Sequence, residues 1–235
     1  MEPDNLLEVN MVTALTAAAV AASATHLAAC GLGLQKLRRG TKLLLMPLIA
    51  ALYCAMARSP SPVVLGAMFC GWAGDFFMIY KHREAFLGAG MAAFGLGHIL
   101  YVAHIGVLAA AAQPRLFTAL AATLVPGAVA LCIFFVLRRR IPKALRLPGL
   151  LYGLLLASLG SAAFIGLRAG APGRVRLLVP VLLWIAPYVD WSGGWSDGIL
   201  AFETFRDGDS NAADVAVMLT YIAAQALLAV GFAAG

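Results

Sequence analysis

The chain has 235 residues, of which 62% are hydrophobic and only 12% are charged, with a mean hydropathy of +0.89 and a formal net charge of +6. A soluble domain of this length needs a far more polar surface, so the composition excludes an ordinary soluble protein and predicts a polytopic membrane protein. Because no basic patch alternates with aromatic residues, the positive charge indicates loop lysines and arginines near anionic lipid headgroups and no nucleic-acid partner.

Apolar runs of about 20 residues, interrupted by charged residues, Pro and Gly, predict an all-α bundle of about eight transmembrane helices. The whole chain, residues 1–235, is then a single integral membrane domain. An acidic segment with Glu2, Asp4 and Glu8 precedes the first run, and this is the wrong start for a cleaved signal peptide. The predicted spans lie near residues 11–30, 42–57, 62–80, 85–108, 116–137, 148–168, 175–204 and 212–234.

Lysines and arginines are distributed unevenly over the predicted loops. Most of them fall in the loops after the first, third, fifth and seventh spans. The positive-inside bias places these loops in the cytoplasm and both termini outside. We therefore expect a multi-pass protein of the bacterial inner membrane or the endoplasmic reticulum, and the sequence leaves its oligomeric state open.

Two parts of the chain share a short pattern. A Gly-Trp pair precedes Asp75 on the third span as another precedes Asp197 on the seventh, and the next span carries Tyr101 or Tyr221. Two four-helix halves, a 4+4 pseudo-repeat about an axis along the membrane normal, would bring both aspartates to a similar depth. Chance similarity in a chain rich in Gly, Ala and Leu explains the pattern about as well.

Two carboxylates, Asp75 and Asp197, stand alone deep in apolar sequence. An aspartate near the centre of a bilayer costs about 2.5 to 3.5 kcal/mol on insertion scales, so such residues are usually retained for function. These aspartates are the first candidates for chemistry. The structural alternative is a buried pair, or a residue at a helix end that is hydrogen-bonded to backbone. Asp214 is a weaker candidate because it lies near a span end where solvent can reach it.

Two polar pairs are candidates for a shared cavity. His98 and Tyr101 lie three residues apart on the fourth span, and Tyr221 and Gln225 lie four apart on the eighth, so each pair shares one helix face. The alternative is hydrogen bonding that only holds the helices together. The sequence has no H-E-x-x-H motif, no Gly-rich phosphate loop and no G-x-S-x-G elbow, which argues against metal and acyl-enzyme chemistry.

Several short motifs follow one another in a fixed order along nearly the whole chain. They are Gly-Asp ending at Asp75, His-x-x-Tyr ending at Tyr101, Ser-Asp ending at Asp197, and Tyr-x-x-x-Gln ending at Gln225. His98, Ser196 and Tyr221 begin the last three of these motifs, and further positions that belong to the pattern are Lys42, Pro47, Phe94 and Tyr152. In this combination the chain resembles the YhhN family of membrane lysoplasmalogenases.

The resemblance implies hydrolysis of the vinyl ether of a choline or ethanolamine lysoplasmalogen, releasing a fatty aldehyde and the glycerophospho-base. Protonation of the outer alkene carbon gives an oxocarbenium ion that water captures, so an acid and a base or charge stabiliser suffice, without a cofactor. We therefore predict Asp75 and Asp197 as catalytic residues, and which of them is the acid stays open. The predicted substrate-binding residues are Lys42 as a point charge for the phosphate, together with His98, Tyr101, Ser196, Tyr221 and Gln225.

The main alternative is a proton- or cation-coupled transporter, or a lipid-binding membrane protein, that uses the same two aspartates. A purely structural membrane component is a weaker alternative. Transport would depend on a gradient across intact vesicles, whereas hydrolysis would persist in detergent. Under either reading, membrane lipids surround the chain, and a lysoplasmalogen is the expected partner only if the chain is the hydrolase.

Overall fold

The computed structural model describes residues 3–110, 116–139, 141, 143–168 and 211–233, and every regular element in these segments is helical. The predicted all-α class is confirmed for this part of the chain. The helix predicted near 175–204, and the 4+4 repeat that depends on it, lie outside the described residues. The helices are α1 (Pro3–Gly31), α2 (Gln35–Met56), α3 (Pro62–Met78), α4 (Glu84–Ala110), α5 (Leu116–Leu137), α6 (Arg146–Arg168) and α7 (Asn211–Ala233), with a 3₁₀ turn at Lys143–Leu145.

Among the described residues, four helical segments are long and apolar enough to cross a membrane: Leu7–Gly31, Gln35–Met56, Glu84–Val107 and Asp214–Ala233. Large apolar side chains cover much of the outer surface of the bundle. Val107 on α4 is 74% exposed, for example. An outward apolar surface is stable against lipid, so these helices are those of a membrane protein.

The second helix begins earlier than predicted. The span was predicted from residue 42, but the residues before it are helical from Gln35, so Lys42 lies two turns inside α2. The reason is local: Gln, Lys, Leu and Arg are good helix formers, and the reversal after α1 needs only a short turn. Gly33 makes that turn with a φ of 68°, a conformation that costs glycine little.

The other helix bounds also differ from the predicted spans. The first helix extends back to Pro3, α3 ends at Met78 and α6 begins at Arg146. Pro62 opens α3, where its missing N–H costs nothing because the first helical N–H groups have no partner within the helix. The predicted loop at 81–84 is a series of turns between α3 and α4.

Helices α2, α3 and α7 enclose the polar centre of the bundle. The chain packs α1 on α2, α3 on α4 and α5 on α6, and α7 packs against both α2 and α1. Buried apolar side chains fill the space between these helices, with Met46 and Tyr53 on α2, Met68 on α3 and Leu228 on α7 all nearly inaccessible. This arrangement brings residues near both ends of the sequence into one core.

A proline inside α2 ties that helix to α3. Pro47 has no N–H, so the carbonyl of Leu43 loses its partner four residues on. The indole Nε1 of Trp72 on α3 donates to this carbonyl at 3.0 Å. In the apolar interior an unpaired carbonyl is costly, so the side chain of Trp72 compensates for a donor that the proline removes.

If Trp72 compensates for Pro47, the stability cost of removing its indole N–H should depend on whether residue 47 is a proline. Trp72→Phe should destabilise the protein by about 1 to 3 kcal/mol, since it leaves the Leu43 carbonyl without a donor. In a Pro47→Ala background the new backbone N–H can bond to Leu43, so the same substitution should cost clearly less. Unfolding of the four variants in detergent micelles measures this coupling. Equal costs in the two backgrounds would show that Trp72 contributes packing alone.

Candidate active site

The most deeply buried carboxylate of the described chain is Asp75, whose residue is 1% exposed. The Nζ of Lys42 on α2 lies 3.3 Å from Oδ1 of Asp75. The hydroxyl of Tyr221 on α7 donates to Oδ2 at 2.7 Å. Three helices therefore place one side chain each at this point, and both oxygens of the carboxylate have a partner.

Helical periodicity directs Asp75 inwards. Val64, Met68, Gly71 and Asp75 are buried on α3 at spacings of three or four residues, which is the inner face of a helix. On α2 the side chain of Lys42 is only 18% exposed, so its stem is packed and its ammonium group reaches the centre. The ion pair is thus held between apolar walls.

The glycine before Asp75 makes room for an aromatic ring. A Cβ added to Gly74 would lie 2.9 Å from three ring carbons of Phe94 on α4, which is too close for two carbon atoms. The Phe94 ring packs edge-on against the ring of Tyr221, with centroids 6.4 Å apart. The Gly-Asp motif therefore has a physical reason: Gly74 admits Phe94, and Phe94 supports the tyrosine that contacts Asp75.

A second polar layer lies about one turn further along α4 and α7. The hydroxyl of Tyr101 donates to Oε1 of Gln225 at 3.4 Å, and both residues are buried. His98, also buried, donates from Nδ1 to the carbonyl of Phe94. Its ring packs edge-on against Tyr152 on α6 at 5.5 Å. Gln225 follows Tyr221 by one turn on α7, so this layer continues from the contacts of Asp75.

An ion pair joins α2 to the first turn of α7. Both terminal nitrogens of Arg38 donate to the carboxylate of Asp214, with side-chain exposures of 22% and 12%. Asp214 lies near a helix end, as predicted, but the expectation that solvent reaches it freely is wrong. Because α7 docks against α2, the carboxylate is largely covered, and the N-terminal position on α7 favours its negative charge.

The polar contacts of α2 extend to the first helix. The Nδ1 of His26 lies 2.8 Å from the hydroxyl of Thr41, and its Nε2 lies 3.6 Å from Sγ of Cys30. His26 is fully buried. Thr41 directly precedes Lys42 in sequence, and its contact with His26 joins α1 to α2.

The structure brings some of the predicted site residues together. Lys42, Asp75 and Tyr221 are in direct contact, and Tyr101 contacts Gln225. Ser196 and Asp197 lie outside the described residues, so the second catalytic aspartate stays a prediction. Within the described segments, no group of three or more His, Cys, Asp or Glu side chains could hold a metal.

The sequence reasoning missed two contacts of this region. It did not pair Arg38 with Asp214, although the positions 38 and 42 on one helix face carry cations opposite the aspartates of α7 and α3. It also gave no role to Trp72, which donates to the carbonyl of Leu43. A proline inside a membrane helix leaves one carbonyl without its backbone donor, and that carbonyl indicates that a donor is needed from a neighbouring helix.

Comparison with known proteins gives one match. The family model of the YhhN family matches residues 37–232, which covers most of the chain and all the contacts of Asp75. No curated protein and no solved structure matches the chain significantly.

Proposed function

The chain belongs to the YhhN family, which includes lysoplasmalogenases, and on this basis we propose that it hydrolyses the vinyl ether of a lysoplasmalogen. The products are a fatty aldehyde and glycerophosphocholine or glycerophosphoethanolamine. The enzyme is proposed to be a multi-pass protein of its membrane, with the alkenyl chain of the substrate lying between apolar helices.

The observation that carries the proposal is the buried Asp75 with donors on both oxygens. Lys42 and Tyr221 each contact one oxygen, and each oxygen keeps a further lone pair for a substrate or a water. A charged group in a membrane interior is costly, and one that is held by two dedicated donors points to a chemical role. A vinyl ether lies just below the headgroup of a lysolipid, at a depth that suits a side chain near a helix end.

The contacts of Asp75 favour one division of roles. An adjacent ammonium group and a donating hydroxyl both stabilise an ionised carboxylate. We assign to Asp75 the ionised role, in which it stabilises the oxocarbenium ion and accepts a proton from the attacking water. Asp197 is then the acid that protonates the outer alkene carbon. As the resulting hemiacetal breaks its bond to the glycerol oxygen, Asp75 returns its proton to that oxygen and the ionised Asp197 takes the hydroxyl proton of the hemiacetal. The aldehyde leaves with both aspartates restored.

The proposal predicts the behaviour of the aspartates. Asp75→Asn and Asp197→Asn should each lower the rate of aldehyde release by about 100-fold or more, as expected for acid and base groups. Tyr221→Phe should have a smaller effect, because Lys42 still contacts the carboxylate. The assay is aldehyde release from choline and ethanolamine lysoplasmalogens by purified protein in detergent.

Two controls make this test specific. The double variant Lys42→Met/Asp75→Asn removes both charges and leaves no unpaired ammonium, so it should fold normally and remain inactive. The ester lysolipid and the saturated alkyl-ether lysolipid should compete with the substrate without being cleaved, because neither has an alkene that accepts a proton. Fatty acid released from the ester, and lost in Asp75→Asn, would instead establish acyl hydrolysis. An activity that requires a gradient across intact vesicles and is lost in detergent would favour the transporter.

Two roles are open for Lys42. The sequence predicts that it binds the substrate phosphate, and its ammonium group contacts Asp75. If it holds the carboxylate, Lys42→Met should lower kcat by about ten-fold or more with little change in KM, since hydrogen bonds to charged groups contribute about 1.5 to 3 kcal/mol. Lys36→Met, an exposed lysine on the same helix, is the matched control. A rise in KM with kcat unchanged would assign Lys42 to the phosphate.

A further inference from the structure

The phosphate of a lysolipid needs a cation near the candidate site, and the ammonium of Lys42 is already engaged. It lies 3.3 Å from Asp75, and its side chain is largely buried. A phosphate bound to the same ammonium would bring a second anion next to the carboxylate, which is unfavourable in an apolar interior. A different cation close to this point, paired with a less buried carboxylate, would hold the headgroup at a smaller cost.

Arg38 is placed at the distance that a lysolipid requires. It precedes Lys42 by one helical turn on α2, so it lies about 6 Å closer to the N-terminal end of that helix. In a lysolipid about five single bonds separate the phosphorus from the ether oxygen, a span of about 6 Å at ordinary bond lengths. With the vinyl ether beside Asp75, the phosphate therefore reaches the level of Arg38.

We propose that Arg38 binds the phosphate of a lysophospholipid, which replaces Asp214 on its guanidinium group. This inference rests on the proposed function for the position of the vinyl ether. The guanidinium already presents two nitrogens to two carboxylate oxygens, and the same planar fork matches two oxygens of a phosphate.

The surroundings of Arg38 suit an exchange of anions. The side chain of Asp214 is 12% exposed, against 2% for that of Asp75, so a carboxylate displaced from Arg38 keeps some contact with its surroundings outside the bundle. In the substrate-free state Asp214 keeps the partly buried guanidinium paired, which avoids the cost of an unpaired charge.

Equilibrium binding to the purified protein in detergent tests this proposal with two lipids that are not cleaved. The probes are an alkylglycerol phosphate and an alkylglycerol of the same chain length, which differ only in the phosphate. Arg38→Gln should weaken binding of the phosphate probe by about ten-fold or more and leave the alkylglycerol unchanged. Asp214→Asn removes the competing anion, so it should tighten binding of the phosphate probe alone.

Three controls keep the result interpretable. The double variant Arg38→Gln/Asp214→Asn leaves no unpaired charge, so it should fold normally and still lose the preference for phosphate. Arg39→Gln, an exposed arginine next in sequence, should bind both probes like the wild type. Inorganic phosphate should displace the phosphate probe at least about 100-fold less well than the unlabelled lipid, because it lacks the chain.

The proposal is overturned if Arg38→Gln weakens both probes equally, or if Asp214→Asn fails to tighten the phosphate probe, because the ion pair is then only structural. Free phosphate that competes as well as the lipid would also overturn it. Neither probe contains a vinyl ether, so the result does not depend on turnover. If the wild type prefers the phosphate probe but releases no aldehyde from a lysoplasmalogen, the proposed reaction alone is rejected. If it releases aldehyde but Arg38→Gln does not reduce the preference for the phosphate probe, the phosphate site alone is rejected.

Discussion

The carboxylate of Asp75 imposes the strongest constraint on this structure, because a charge in an apolar interior needs partners that water cannot supply. Lys42 and Tyr221 meet this need from two other helices. A shift of α2 or α7 by one turn would remove a partner and leave a buried charge, so the positions of the three helices depend on one another. The requirement that fixes the bundle also holds the carboxylate in place for chemistry.

The second helix carries most of these constraints. Arg38 pairs with α7, Thr41 contacts α1, Lys42 pairs with α3, and the carbonyl of Leu43 accepts from α3. In lipid the hydrophobic effect does not drive helices together, so polar contacts and close packing determine which helices meet. The consecutive polar contacts near the start of α2 thus act both on the assembly of the bundle and on the candidate site.

Much of this was accessible from the sequence, and the limits have physical causes. Hydropathy predicted the helical class and the approximate spans, and isolated polarity in apolar sequence identified Asp75 and Tyr221. The early start of α2 was missed because charge was interpreted as a loop, although Gln35–Arg39 has good helix formers. The pairing of Arg38 with Asp214 was missed because a contact across 176 positions depends on the packing of α7 against α2.

The central claim is that the site adds a proton to carbon, and the fate of the solvent hydrogen tests it most directly. Hydrolysis is run in deuterated water, and the aldehyde is reduced as it forms so that it cannot exchange its hydrogens. Protonation at carbon predicts a single deuterium on the carbon next to the former carbonyl, formed by the wild type and at least about 100-fold more slowly by Asp75→Asn. Aldehyde without deuterium at that carbon, or labelled aldehyde formed equally fast by the variant, would contradict it.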